Sequence, residues 1–167
     1  WAREGWQLAL SDVNEAGLAE TLKMVREAGG DGFTQRCDVR DYSQLTALAQ
    51  ACESNFGGID VVVNNAGVAS GGFFEELSLE DWDWQIAINL MGVVKGCKAF
   101  LPLVQKSRGK IINIGSMNNH VRRSVPPIWT SRPRRICAST RCCAATEPMS
   151  GPPGSRRPER PVPPSQG

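Results

Sequence analysis

The chain has 167 residues, 41% of them apolar and 22% charged, enough for one domain with a core and ordinary for a soluble globular protein. Apolar runs such as residues 86–94 are interrupted by Asn89 and Gly92 and fall short of the ~20 residues a membrane span needs, so no membrane partner is expected. The net charge of +2 hides a split: residues 1–119 carry 10 Lys+Arg against 15 Asp+Glu, whereas residues 120–167 carry 9 Arg, no Lys and 2 Glu.

In chain order, residues 1–5 read as the end of a helix closed by Gly5, with neither the basic start nor the apolar run of a secretory signal. A missing beginning is the simplest expectation. Residues 6–12 read as a short strand ending in Ser11-Asp12. Asn14-Glu15 opens a helix with Leu18, Leu22, Met24 and Val25 near helical spacing, stopped at Gly29-Gly30. Residues 33–39 form the next strand, and Asp41 caps a helix bearing Leu45, Leu48, Ala49 and Cys52 that ends at Phe56-Gly57-Gly58. Residues 59–63 are apolar on both faces, the pattern of a parallel strand between two helical layers. Ser78 to Asp81 resembles a capping box for one long helix through Trp84, Ile88, Val93, Cys97 and Leu101, and residues 110–114 are a further buried strand.

Strand and helix alternate with short Gly-containing connections, which predicts an α/β fold with a doubly wound parallel sheet, Rossmann-like. From residue 120 the composition turns Arg- and Pro-rich, with ten of the eleven prolines and no periodicity. Two units follow: 1–119 as a partial dinucleotide-binding domain and 120–167 as a disordered tail. Arg without Lys is also what a GC-rich frame gives when shifted, so a frameshift between Ser116 and Arg123 is a hypothesis for its origin. A basic arm binding nucleic acid is a weaker reading. Cys137, Cys142 and Cys143 fit no common zinc spacing, so no metal is expected. Cys37, Cys52 and Cys97 stand singly in apolar elements without CxxC pairing, as reduced thiols in a cytoplasmic setting do.

Ligands of doubly wound folds sit beyond the carboxyl ends of the strands, and three strand ends here are polar in succession: Asp12, Asp38-Val39, and Asn64-Asn65-Ala66-Gly67. Asp12 alone reads equally as a turn residue capping the following helix. Asn89, among Ile86, Ile88, Leu90 and Val93, is expected to be buried, and a buried amide needs hydrogen-bond partners. Ser116 follows the strand at 110–114. The hydrolase motif G-x-S-x-G is not matched by Ile114-Gly115-Ser116-Met117-Asn118, and His120 is the single histidine.

Taken together, the Asp38-Val39 pair, Asn64-Asn65-Ala66-Gly67, Ile88-Asn89-Leu90 and Ile112-Asn113-Ile114-Gly115-Ser116 resemble, in order and spacing, the short-chain dehydrogenase/reductase family over residues 1–117. The resemblance implies an NAD(P)-dependent oxidoreductase passing hydride between a nicotinamide cofactor and a secondary alcohol or ketone, forming homo-dimers or homo-tetramers. It implies that Asp12 binds the adenosine ribose, favouring NAD over NADP, that Asp38 and Val39 contact the adenine, and that Asn65, Ala66 and Gly67 line the cofactor. Asn64 would tie neighbouring strands together. Asn89 and Ser116 would be catalytic, the first in a proton relay through water, the second hydrogen-bonding the substrate oxygen.

Two departures from the family pattern shape the remaining expectations. The first strand with its Gly-rich pyrophosphate turn is not found, and in the order 3-2-1-4-5-6 that strand is central, so the strands at 6–12 and 59–63 are expected to lack their shared neighbour and the chain to be unstable. Tyr-x-x-x-Lys should follow Ser116, but the sole tyrosine is Tyr42 and no Lys follows Lys110. With no general acid there, the chain as written is expected to be inactive.

Overall fold

The computed structural model describes residues 1–70, 74–115 and 135–139. After a single 3-10 turn at Ala2–Glu4, closed by Gly5 in the left-handed region at φ 75°, come β1 (Gln7–Asp12), α1 (Glu15–Glu27), β2 (Asp31–Arg36), α2 (Tyr42–Phe56) and β3 (Val61–Asn64). Next are α3 (Leu79–Asn89), α4 (Met91–Ser107), β4 (Lys110–Asn113) and β5 (Arg135–Ser139). The strands form one five-stranded sheet, all neighbours parallel, in the order β2-β1-β5-β3-β4.

Local chemistry explains the boundaries. The Asn14 side chain accepts from Gly17 N–H and the Asp41 side chain from Ser43 N–H, satisfying donors that an α-helix start leaves open. Ser78 and Asp81 complete a reciprocal capping box at the start of α3. The predicted single helix is broken: α3 stops at Asn89, Leu90 departs from helical geometry at φ −109° and ψ −60°, and α4 restarts at Met91. Together Leu79–Ser107 span 29 residues and contain an 18-residue stretch of mean hydropathy 1.4, long and apolar enough to cross a membrane by length and composition, which a reading of the apolar runs alone does not show. The inner stripe of α4 is buried through Gly92, Gly96, Phe100 and Val104.

The core has two layers. Ala9, Cys37, Leu48, Cys52, Ile59, Val62 and Phe100 pack on the α2/α4 side, and Leu8, Leu10, Leu18, Val25 and Val63 on the α1 side. Alternate residues of β1 thus face opposite layers, as strand geometry requires.

Two expectations are corrected. The composition of 120–167 predicts no regular structure, yet Arg135–Ser139 form β5, which lies between β1 and β3, in the place the 3-2-1-4 order gives to its first strand. The neighbourless strand ends therefore do not arise. A two-sided buried slot is filled by Ile136 facing the α1 layer and Cys137 facing the α2/α4 layer, at 1% and 3% exposure. Nothing in the local pattern of an Arg-rich stretch announces this; burial on both faces does. The second correction is β4, expected to be buried. Among the described residues it is the sheet edge beyond β3, with Ile112 and Ile114 exposed at 39% and 50%.

Candidate functional site

The carboxyl ends of β1, β2 and β3 meet at a pocket of about 130 Å³. Its wall includes Ser11 and Asp12 after β1, Cys37 to Arg40 after β2, Ala66 to Val68 after β3, and Trp84 and Ile88 from α3. Thus Asp12, Asp38, Val39, Ala66 and Gly67, the strand-end candidates of the sequence, line one cavity. Asn65 precedes this wall on the same loop and is half-buried. Ser116 lies outside the described residues.

Hydrogen bonds fix several of the wall residues. Asp12 accepts from Asn14 N–H at 2.9 Å, so the turn-capping role is present alongside its place on the pocket wall, and its carbonyl accepts from Cys37 N–H at 3.0 Å. Asp38 is gripped by Arg40, whose Nε lies 3.0 Å from both carboxylate oxygens and whose Nη2 lies 2.6 Å from Oδ2. This charge-assisted pairing, joined by the Arg40 N–H, keeps the Asp38 carboxyl below the usual carboxylate range. Gln44 Oε1 in turn accepts from Asp38 N–H at 2.9 Å. The Cys37 thiol beneath is pushed up to about 11 by burial and by the charges of Asp38 and Asp41.

Asn64 and Asn113 join β3 to β4 through an amide-amide hydrogen bond of 2.8 Å, with Cys97 Sγ accepting from the same Asn64 amide at 3.4 Å. The strand-tying role expected for Asn64 is present. Asn89 differs from expectation: its side chain is exposed, and it makes a reciprocal pair with the Val68 backbone, accepting from Val68 N–H and donating to Val68 C=O, each at 2.8 Å. The position at the α3/α4 break places it on the surface, and its amide copies one rung of a strand ladder that fixes the Ala66 to Val68 loop.

Gly92 and Gly96 are close-packing positions that sequence reasoning missed. A Cβ at Gly92 would stand 2.8 Å from Val39 Cγ2, and one at Gly96 would collide with the Asn64 amide. Both glycines let α4 press directly beneath two rim residues. Their spacing of one helical turn on an apolar helix was the available signal.

What the pocket can hold follows from its donor set. Apolar walls from Val13, Val39, Val68 and Ile88 suit a flat aromatic base, and two carboxylates, Asp12 and Asp38, suit hydroxyl and amine donors. The adenosine half of a dinucleotide fits this arrangement. Among the described residues there is no cluster of His, Cys, Asp and Glu able to hold a metal ion.

Comparison with known proteins agrees with this geometry. Residues 1–131 match the family model described as short chain dehydrogenase. D-threitol dehydrogenase of Mycolicibacterium smegmatis is 41% identical over 120 residues, 70% of this chain and 45% of that protein. A short chain dehydrogenase/reductase from Burkholderia phymatum, solved in complex with NAD, superposes with a TM-score of 0.64 at 39% identity over 67% of this chain and 41% of that one. An alcohol dehydrogenase from Thermococcus sibiricus, complexed with 5-hydroxy-NADP, gives a TM-score of 0.63 at 32% identity over 67% of this chain and 48% of that one. The chain spans from 20% to 47% of the length of curated relatives it matches.

Proposed function

Because the chain belongs to the short-chain dehydrogenase family, we propose that it carries the adenosine-binding part of an NAD-dependent oxidoreductase that interconverts a secondary alcohol and a ketone. The observation that carries this reading is the convergence of Asp12, Asp38, Val39, Ala66 and Gly67 on one pocket at the carboxyl ends of three parallel strands. Asp12 accepts from the ribose hydroxyls and repels a 2′-phosphate, which favours NAD over NADP. Asp38, fixed as an anion by Arg40, accepts from the adenine amine, and Val39 packs on the ring. Asn65 to Gly67 lie along the cofactor. When bound, the nicotinamide supplies or accepts the hydride. Asn89, through Val68, positions the loop that holds the cofactor, and Ser116 hydrogen-bonds the substrate oxygen. The substrate is a small alcohol or ketone.

The free thiols Cys37, Cys52, Cys97 and Cys137 suit a reducing, cytoplasmic setting. An exposed apolar face on α3 and α4, with Ile86, Leu90, Met91 and Val94 at 41% to 58% exposure, supports assembly as a homo-oligomer. Calorimetric titration with AMP, NAD and NADP tests the cofactor reading. AMP and NAD should bind, NADP more weakly by roughly tenfold or more, and Asp12→Asn should narrow that gap, as loss of a charged hydrogen-bond partner does. No affinity for any of the three would overturn it.

A further inference from the structure

The sheet is two half-sheets joined by five residues. β1 pairs with β2 on one side, β3 with β4 on the other, and β1 and β3 share no ladder; each pairs with β5. The pocket draws on both halves, with Asp12 and Asp38 from the first and Ala66 to Val68 from the second. Their spacing across the sheet is thus set by whether β5 is in place.

A specific latch seats β5. Asp60, just before β3, accepts from the Arg135 backbone N–H and from Nε at 2.9 Å each through Oδ2, and from Nη2 at 3.1 Å through Oδ1. Arg135 Nη1 donates to Phe56 C=O at 3.1 Å, closing the end of α2 onto the strand, and Asp60 N–H donates back to Arg135 C=O at 3.0 Å. Beyond the latch, Ile136 and Cys137 enter opposite core layers, and Cys137 shares its layer with Cys37, which also lines the pocket. A physical path of packed atoms therefore runs from β5 to the pocket wall.

We propose that the cleft between β1 and β3 is a strand-acceptor site whose ligand is Arg135–Ser139, and that its occupancy is thermodynamically coupled to nucleotide binding in the pocket. The nucleotide arm rests on the cofactor reading above. Binding that requires both halves in register favours the docked strand, and by linkage the docked strand favours the nucleotide by the same factor. β5 is only five residues long, with one ion pair, two fully buried side chains and ladders to β1 and β3, and local release is the opening by which this short strand exposes Cys137.

The test alkylates the full chain with a maleimide and follows each cysteine separately by peptide mass spectrometry. Cys137 is covered while β5 is docked, and Cys97, half-buried on α4 against Asn64 and Asn113 at the β3–β4 seam, serves as the reference. In the wild type, NAD at about 100 times its dissociation constant should slow Cys137 labelling by roughly a hundredfold and leave Cys97 unchanged. Arg135→Ala should speed Cys137 labelling by about tenfold, with Arg135→Lys in between, since a lysine cannot make the two-pronged contact, while NAD affinity falls only as far as the docked fraction falls. NAD binding that leaves Cys137 labelling unchanged overturns the coupling while leaving the cofactor reading intact; absence of any NAD binding overturns both. A urea dependence of Cys137 labelling as steep as that of global unfolding overturns local release. The wild-type comparison with and without NAD needs no substitution, so it decides the coupling even where a variant fails to fold.

Discussion

β1 and β5 are hydrogen-bonded neighbours in one sheet and bury their side chains in the same two layers, yet the chain builds them by different routes. β1 reaches β2 through α1, a connection with its own Asn14 cap and amphipathic face, so strand pairing is prepared by short-range structure. β5 meets its latch partner 75 residues away in sequence and lies beyond the 1–131 family match. Pairing at such separation brings loop-closure entropy that only tertiary burial offsets. A strand in the most protected position of a sheet therefore need not be the one with the strongest local signal. It needs two small-to-medium apolar residues in succession and a way to be registered, here Ile136, Cys137 and the Arg135–Asp60 pair.

That contrast can be broken by chemistry as well as by folding. The largest expected effect concerns turnover: with Tyr42 as the sole tyrosine and no Lys after Lys110, the chain has no phenol-lysine pair near Ser116 to protonate an alkoxide. Loss of general acid catalysis alone lowers the rate by ~10²–10⁴. Absorbance at the reduced-nicotinamide band should stay flat with secondary alcohols even when NAD binds, and measurable turnover would show that another group supplies the proton.

The next effect sharpens the comparison directly. Ile136 is 1% exposed, so Ile136→Ala should destabilise by about 2–5 kcal/mol, as a Leu8→Ala change in β1 should. Chemical denaturation would measure both. If Ile136→Ala changes stability by less than the exposed Ile86→Ala, β5 contributes nothing to the fold.

Gly92→Ala probes the rim from beneath. The added methyl meets Val39 in the pocket wall, so overpacking of about 1–3 kcal/mol is expected, and nucleotide affinity should fall with it.

The smallest effect is alkaline. Cys37 ionises at about 11 in the folded chain because of burial and of Asp38 and Asp41, against ~8.5 in an unfolded one. Folding therefore disfavours the thiolate: stability should be unaffected by this group below the lower value and decline as pH rises toward 11. Cys37→Ala should flatten that alkaline limb in urea titrations, and an unchanged limb would assign it elsewhere.

Much of the site is legible in the sequence because strand ends carry polar residues for a reason local to them. Asp12 and Asn64 end strands whose periodicity is plain, Asp38, Val39 and Asn65 to Gly67 follow closely on theirs, and the parallel fold brings carboxyl ends to one side. For Asn89 the apolar neighbours predict burial. Its true setting depends on the break at Leu90, which turns the amide outward onto Val68. Gly92 and Gly96 have no side chain to advertise contact, and their role exists only once α4 lies against Val39 and Asn64.

Sequence alone determined the α/β class, the succession of elements through residue 113, and the acidic and amide residues at the strand ends, because caps, glycine stops and apolar periodicity act over a few residues. Tertiary structure alone decided which segment occupies the centre of the sheet, that β4 is the edge among the described strands, and that Arg135 pairs with Asp60. The physical reason is burial: a slot closed on both faces and bordered by two unpaired ladders selects whatever short strand can satisfy its backbone groups, and no window of local sequence contains that requirement.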